Sequence, residues 1–179
     1  FQKLFLNMKS LNEFRELEKS IKKNNLKMID VKFECEANFR TKKIRNFVEK
    51  SVDQTLKILK NKSGRTYISV FLTNNEKIKS INLKFRNINK ETSVLSFPQN
   101  EERKMTDFKN YLVLGDIVIS LEKILSEAKE QKKNFFNHLL HMIVHSILHL
   151  NGYDHKNEND AEIMEKKEEE IMNKLSFEL

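Results

Sequence analysis

The residues able to do chemistry in this 179-residue chain concentrate between Asn134 and His155. His141, His145 and His149 recur every four residues. On a helix four residues turn about 400°, so each side chain projects one turn above the last on a single face. Two imidazoles one turn apart can bind one metal ion, and from the second of these histidines the chain runs His145-Ser-Ile-Leu-His149-Leu-Asn-Gly152-Tyr-Asp-His155. Gly152 can take a positive φ where the helix ends, turning the chain back so that His155 brings a third nitrogen. Three neutral imidazoles leave one position of a tetrahedral zinc open to solvent, as catalytic sites do and closed structural sites do not. His145, His149 and His155 are therefore the candidate ligands, and one zinc ion per chain is the candidate cofactor.

The neighbouring residues carry competing readings. Including His141 would close the coordination sphere, so it is read as a hydrogen-bond partner or packing residue one turn away. His138 reads as structural or solvent-facing. Asp154 either orients an imidazole by accepting its free N–H or caps a loop. The ligand order matches the zinc-peptidase pattern His-Glu-x-x-His-x-x-Gly-x-x-His, but Ser146 stands where that pattern has its general-base Glu. A serine cannot accept a proton from water at neutral pH, so the metal geometry is kept while peptide hydrolysis loses its base. Ser146 would instead place a hydroxyl close to the metal.

Positioning these residues requires a long, mostly buried helix. Residues 134 to 153 contain no Lys, Arg, Asp or Glu, but four His and three Asn make a membrane span costly, whereas a buried helix can carry one polar stripe. Upstream, Met28 to Cys35 alternates apolar and polar residues as a half-buried strand. Phe39 to Lys60 has helical spacing and is stopped by Lys62-Ser63-Gly64. Thr66 to Leu72 reads as a strand, Asn74 to Arg86 as a helix, Thr92 to Phe97 as a short strand ended by Pro98, and Tyr111 to Ser120 as a long apolar strand. Helices follow near 121 to 131, 134 to 151 and 159 to 174. The expected fold is α+β: a single layered domain with a small mixed four-stranded sheet and about five to six helices. Residues 1–27 have amphipathic helical spacing with a basic polar face and form a separate extension. They lack the apolar run and cleavage site of a signal peptide.

Composition narrows the setting. Three Gly and one Pro leave no material for a flexible linker, and 39% apolar residues suffice for one core. The lone Cys35 has no disulfide partner within the chain and reads as a small buried hydrophobe in a reducing, cytoplasmic compartment. The net charge of +7 is unevenly spread: residues 156–179 hold four basic against eight acidic side chains, which with Asp154 leaves +12 on residues 1–133. A surface of that sign suits phosphate backbones, although solvated lysines give the same composition.

Four segments in order resemble one family. The stretch from His141 to His155 is similar to the YbeY family of zinc-dependent endoribonucleases. Ile81-Asn82-Leu-Lys-Phe85-Arg86 resembles that family's Leu-Asn-x-x-Tyr-Arg. Thr92-Ser93-Val94-Leu95-Ser96-Phe97-Pro98 resembles its Thr-[Asp/Asn]-Val-Leu-Ser-Phe-Pro, and Leu114-Gly115-Asp116-Ile117 its Gly-Asp-Ile strand. The similarity runs from about Met28 to Phe177. It implies zinc on His145, His149 and His155, and a catalytic role for Arg86, whose planar donor fork suits phosphate oxygens. It further implies cleavage of single-stranded RNA in 3′-end maturation of small-subunit ribosomal RNA and in ribosome quality control. The implied partners are that RNA, the small ribosomal subunit with one of its proteins, and an assembly GTPase, with no membrane. Departures from the pattern are Ser146 for Gly, Ser93 for Asp or Asn, and Asn89 where an Asp is common. Two other readings stand beside it: an RNA-binding assembly factor with structural zinc, and a metallohydrolase of a non-RNA substrate.

Overall fold

The structure, a computed structural model, describes residues 28–59, 66–99 and 112–175. The helix expected within residues 1–27 and the stop at Gly64 lie outside these residues. Among them the chain runs β1 (Met28–Glu34), a 3-10 turn (Ala37–Phe39), α1 (Lys42–Ile58), β2 (Thr66–Thr73), α2 (Asn75–Arg86), β3 (Val94–Pro98), β4 (Leu112–Ser120), α3 (Leu121–Glu130), α4 (Phe135–Leu150) and α5 (Glu158–Leu175). The four strands form one mixed sheet in the order β1-β2-β4-β3, parallel except for the β3–β4 pair. This is the expected α+β domain, with five α-helices among the described residues.

The boundaries shift where caps decide them. α1 starts at Lys42 rather than Phe39 because the Thr41 side chain accepts from the Ile44 N–H, and Phe39 is held in the preceding turn. Asn74, Ser120 and Asn134 cap α2, α3 and α4 in the same way. β3 begins at Val94 and keeps Pro98 as its last paired residue, opposite Gly115. Gly115 is required there: with φ at +138°, a Cβ would sit 2.2 Å from the Phe97 carbonyl oxygen and 3.1 Å from Leu150 at the end of α4. Cys35 is buried, as read from composition, and burial pushes its thiol up.

Both sheet faces are covered, by different helices. Val31, Ile68, Val70, Leu72, Ile117 and Ile119 point to the face packed by α1, α3 and α4. Residues of the other parity, Phe71, Val118 and Leu95, meet Ile78 and Ile81 of α2 on the opposite face. α4 buries two stripes at once: Leu139, Ile143 and Ile147 against the sheet layer, and Leu140, Val144 and Leu148 against Met164, Ile171 and Leu175 of α5. Each such fully buried side chain stabilises the fold by roughly 1.5–3 kcal/mol. No helix among the described residues is long and apolar enough to cross a membrane.

Candidate metal centre

The third stripe of α4 carries His141, His145 and His149. The helix ends in a Schellman motif: the Tyr153 N–H donates to the Leu148 carbonyl, the Gly152 N–H to the His149 carbonyl, and Gly152 takes φ +88°. Nothing lies within 4 Å of a Cβ built on Gly152, so the backbone conformation alone demands glycine. Six residues later α5 begins, fixed by Asn157, whose side-chain oxygen accepts from the Asp160 backbone N–H and whose side-chain amide donates to the Asp160 carboxylate. The short connection between these two caps holds His155.

His145, His149 and His155 come together, each offering one ring nitrogen within 4.8 Å of the others. The Nε2 atoms of His145 and His149 lie 3.1 Å apart. His149 Nδ1 stands 3.0 Å from the Tyr153 carbonyl, which can only accept, so Nδ1 carries the proton and Nε2 a bare lone pair. His145 Nδ1 stands 3.2 Å from Glu168, whose carboxyl is raised by burial but brought down to about 2 by its hydrogen bonds with His141 and His145. The carboxylate accepts from His145 Nδ1, and the neutral tautomer that makes this bond turns its Nε2 lone pair toward His149. Two lone pairs facing each other at 3.1 Å need a cation or a shared proton between them. A tetrahedral zinc with Zn–N near 2.0–2.1 Å separates its nitrogens by about 3.4 Å. The donor set therefore fits a zinc ion, and burial together with the adjacent His145 and His155 lowers the His149 pKa, keeping that ligand neutral.

The other predicted residues take separate places. His141 does not join the triad: its Nε2 is 3.1 Å from the second oxygen of Glu168. Among the described residues no fourth ligand atom completes the group. The Ser146 hydroxyl is fully buried and donates to the Met142 carbonyl at 2.7 Å, so it belongs to its own helix and is not a hydroxyl beside the metal. Asp154 accepts from the His155 backbone N–H and pairs with Lys156, the loop-capping arrangement, with no bond to an imidazole. His138 is buried and bonded to Glu127, which in turn accepts from Ser93. Arg86, the last residue of α2, is exposed and makes no ion pair or hydrogen bond among the described residues. α2 packs on the sheet face opposite α4, and Phe85, next to Arg86, lies beside Phe97 of edge strand β3 at a ring-centroid separation of 5.5 Å.

Glu168 is the functional residue that sequence reasoning missed. It opens the acidic run Glu168–Glu170 and looks like one of several solvated charges. Its phase gives it away: Met164, Ile171 and Leu175 are the buried residues of α5, and Glu168 falls on the same stripe, four after Met164 and three before Ile171. A carboxylate on an apolar stripe facing a histidine stripe is the signal.

An α+β domain that converges three imidazoles at a helix end and supports two of them from outside has a cluster that could hold one metal ion. The family model described as Endoribonuclease YbeY matches residues 30–176, and the chain belongs to the YbeY family. Curated relatives called Endoribonuclease YbeY include those of Clostridium tetani, 46% identical over 125 residues, and Clostridium beijerinckii, 44% identical over 125 residues. Each alignment covers 62% of this chain and 75% of the relative. The solution structure of TM1509 from Thermotoga maritima is similar at a TM-score of 0.54 and 26% identity, covering 84% of this chain and 93% of that one.

Proposed function

We propose that this chain is a zinc-dependent endoribonuclease specific for single-stranded RNA, acting in 3′-end maturation of small-subunit ribosomal RNA and in ribosome quality control in the cytoplasm. The observation that carries this reading is the pair of His145 and His149 Nε2 atoms 3.1 Å apart with His155 beside them, in a chain of the YbeY family. When bound there, zinc supplies Lewis acidity toward a phosphodiester and acidifies water. The chain's own residues do the rest. Tyr153 and Glu168 fix the tautomers and ring orientations of His149 and His145, and burial keeps His149 unprotonated. Arg86 offers its exposed guanidinium to phosphate oxygens, and an RNA touching both it and the triad passes over edge strand β3. Residues 28–179 make up the hydrolase domain and residues 1–27 an extension of it. The partners are small-subunit ribosomal RNA, a small-subunit ribosomal protein and an assembly GTPase.

Metal analysis combined with cleavage of a single-stranded RNA tests the reading. Wild-type protein is expected to hold one zinc and cleave, His149→Ala to lose both, and Arg86→Ala to lose cleavage while keeping zinc. Zinc-free wild-type protein that still cleaves, or a fully active His149→Ala variant, overturns it.

A further inference from the structure

At the edge of the sheet away from β3, a groove of about 770 Å³ runs along β1 and the start of α1. Four cationic side chains line it, Lys32, Arg40, Lys42 and Arg45, against one carboxylate, Glu34. The carboxylate is already engaged, 3.0 Å from Lys77, and Lys32 and Arg45 are matched with Asp30 and Glu49 at 3.3 and 3.8 Å. Arg40 and Lys42 are exposed and have no carboxylate partner among the described residues. No acidic residue occupies the first turn of α1. The groove thus presents two uncompensated cations, Arg40 and Lys42, beside two cations already paired with carboxylates.

An edge strand ordinarily invites another strand to pair with it, but here arginines occupy the edge. Arg45 Nη1 donates to the Val31 carbonyl and Arg40 Nε to the Cys35 carbonyl, each at 2.7 Å, and the Arg45 guanidinium lies 5.0 Å from the Phe33 ring centroid. A polyanion fits these groups better than an added β-strand does, because it needs none of the backbone carbonyls the arginines cover. We propose that this groove binds the phosphate backbone of the single-stranded RNA substrate at a distance from the metal centre. The inference rests on the endoribonuclease reading above.

The distance follows from helix geometry. The groove end of α1 packs on the start of α4, with Phe39 against Phe135 and Phe47 against Phe136 at centroid separations of 6.4 and 4.8 Å. The triad lies at the other end of α4, fourteen residues beyond Phe135 at His149, which at 1.5 Å per residue is about 20 Å away. Only an RNA of several nucleotides reaches both places, so the groove selects for chain length and leaves a dinucleotide unaffected.

The test compares wild type with Arg40→Gln/Lys42→Gln on a 20-nucleotide single-stranded RNA and on a dinucleotide, with zinc content measured throughout. The double variant is expected to bind the 20-mer roughly tenfold more weakly, with a slope of log affinity against log salt shallower by about 1.4, or 0.7 for each lost phosphate contact. Its kcat/KM should fall on the 20-mer through KM alone and stay unchanged on the dinucleotide. Arg40 also bonds the Cys35 carbonyl, so Lys42→Gln alone, at an exposed residue with no described contact, should show about half the slope change. Unchanged 20-mer affinity and slope overturn the proposal and leave the β1 edge to protein partners. Equal losses on both RNAs overturn it too, since the effect then comes through the metal centre or the fold. If wild type shows the groove-dependent binding but cleaves nothing, the endonuclease reading fails and the groove stands; if wild type cleaves both RNAs and the double variant matches it, the groove alone fails.

Discussion

Glu168→Gln isolates what the carboxylate on α5 does for the metal centre. Glu168 accepts from His145 Nδ1 at 3.2 Å and from His141 Nε2 at 3.1 Å, one oxygen for each. Glutamine keeps the shape but has a single carbonyl oxygen and no charge, so it can serve one imidazole at a time and no longer raises the basicity of His145. Partners of this kind change metal affinity by 10–100-fold, which is about 1.4–2.7 kcal/mol. The larger end is expected because the carboxylate is mostly buried, with 14% of its side chain exposed, and water replaces it poorly. Competition against a zinc-specific chelator at pH 7.5, where a carboxyl held near 2 is fully ionised in the wild type, reads the effect directly. His141→Ala is the internal control: it removes only the outer of the two bonds and should cost less than Glu168→Gln. A Glu168→Gln protein that binds zinc within twofold of wild type, while His149→Ala does not bind it, refutes the argument that Glu168 orients a ligand.

Three further outcomes follow from local geometry. Gly152→Ala places a Cβ in open space but at φ +88°, so denaturant unfolding should show a loss of about 1–2 kcal/mol, with Gly152→Asn milder; Gly115→Ala meets the Phe97 carbonyl at 2.2 Å and should lose considerably more. Asp116, pushed up to about 6 by burial despite its Ser69 hydrogen bond and nearby Lys32, titrates above its unfolded value of 3.8. Its contribution to stability is then complete below pH 4 and lost as pH rises through about 6, so Asp116→Asn should stabilise the protein by about 1–3 kcal/mol at pH 7.5 and leave it unchanged at pH 4; equal urea midpoints for the two proteins at pH 7.5 would count against this. Ser146→Ala removes a hydroxyl bonded only to its own helix, so isothermal titration should show zinc affinity within twofold of wild type.

The clustering of His145, His149 and His155 was legible because two periodicities coincide. A four-residue histidine spacing and one glycine at the correct offset fix both the helix face and its exit, and the structure reproduces that exit as a Schellman turn. The strands and helices were legible to within a few residues, the errors falling where Thr41, Asn74 and Asn134 act as caps outside their helices. What could not be read is which helix covers which sheet face. β2 is buried on nearly every residue of both parities, so its alternation carries no polarity, and nothing in the spacing of Ile78, Ile81 and Phe85 says that α2 lies across the sheet from α4. The placement of α2 and α4 on opposite faces is for that reason a tertiary fact. Glu168 is the intermediate case: its phase was present in the sequence, but pairing α5 with α4 requires knowing that Leu140, Val144 and Leu148 form a second apolar stripe against it.

That second stripe also explains why the site is held in place. A helix packed on one side can roll, but α4 is packed on two, with Leu139, Ile143 and Ile147 engaged by the sheet layer and Leu140, Val144 and Leu148 by α5. Rolling the helix by one residue would carry one stripe into solvent and drive the histidines toward a core that is already filled. The direction in which His145 and His149 point is therefore set by the same side chains that hold α4 in the fold. His155 has no such support, and its position depends on the Gly152 turn on one side and the Asn157–Asp160 cap on the other. The two helical histidines form the rigid half of the centre and the loop histidine its adjustable half, so damage to either cap should weaken metal binding before it unfolds the domain.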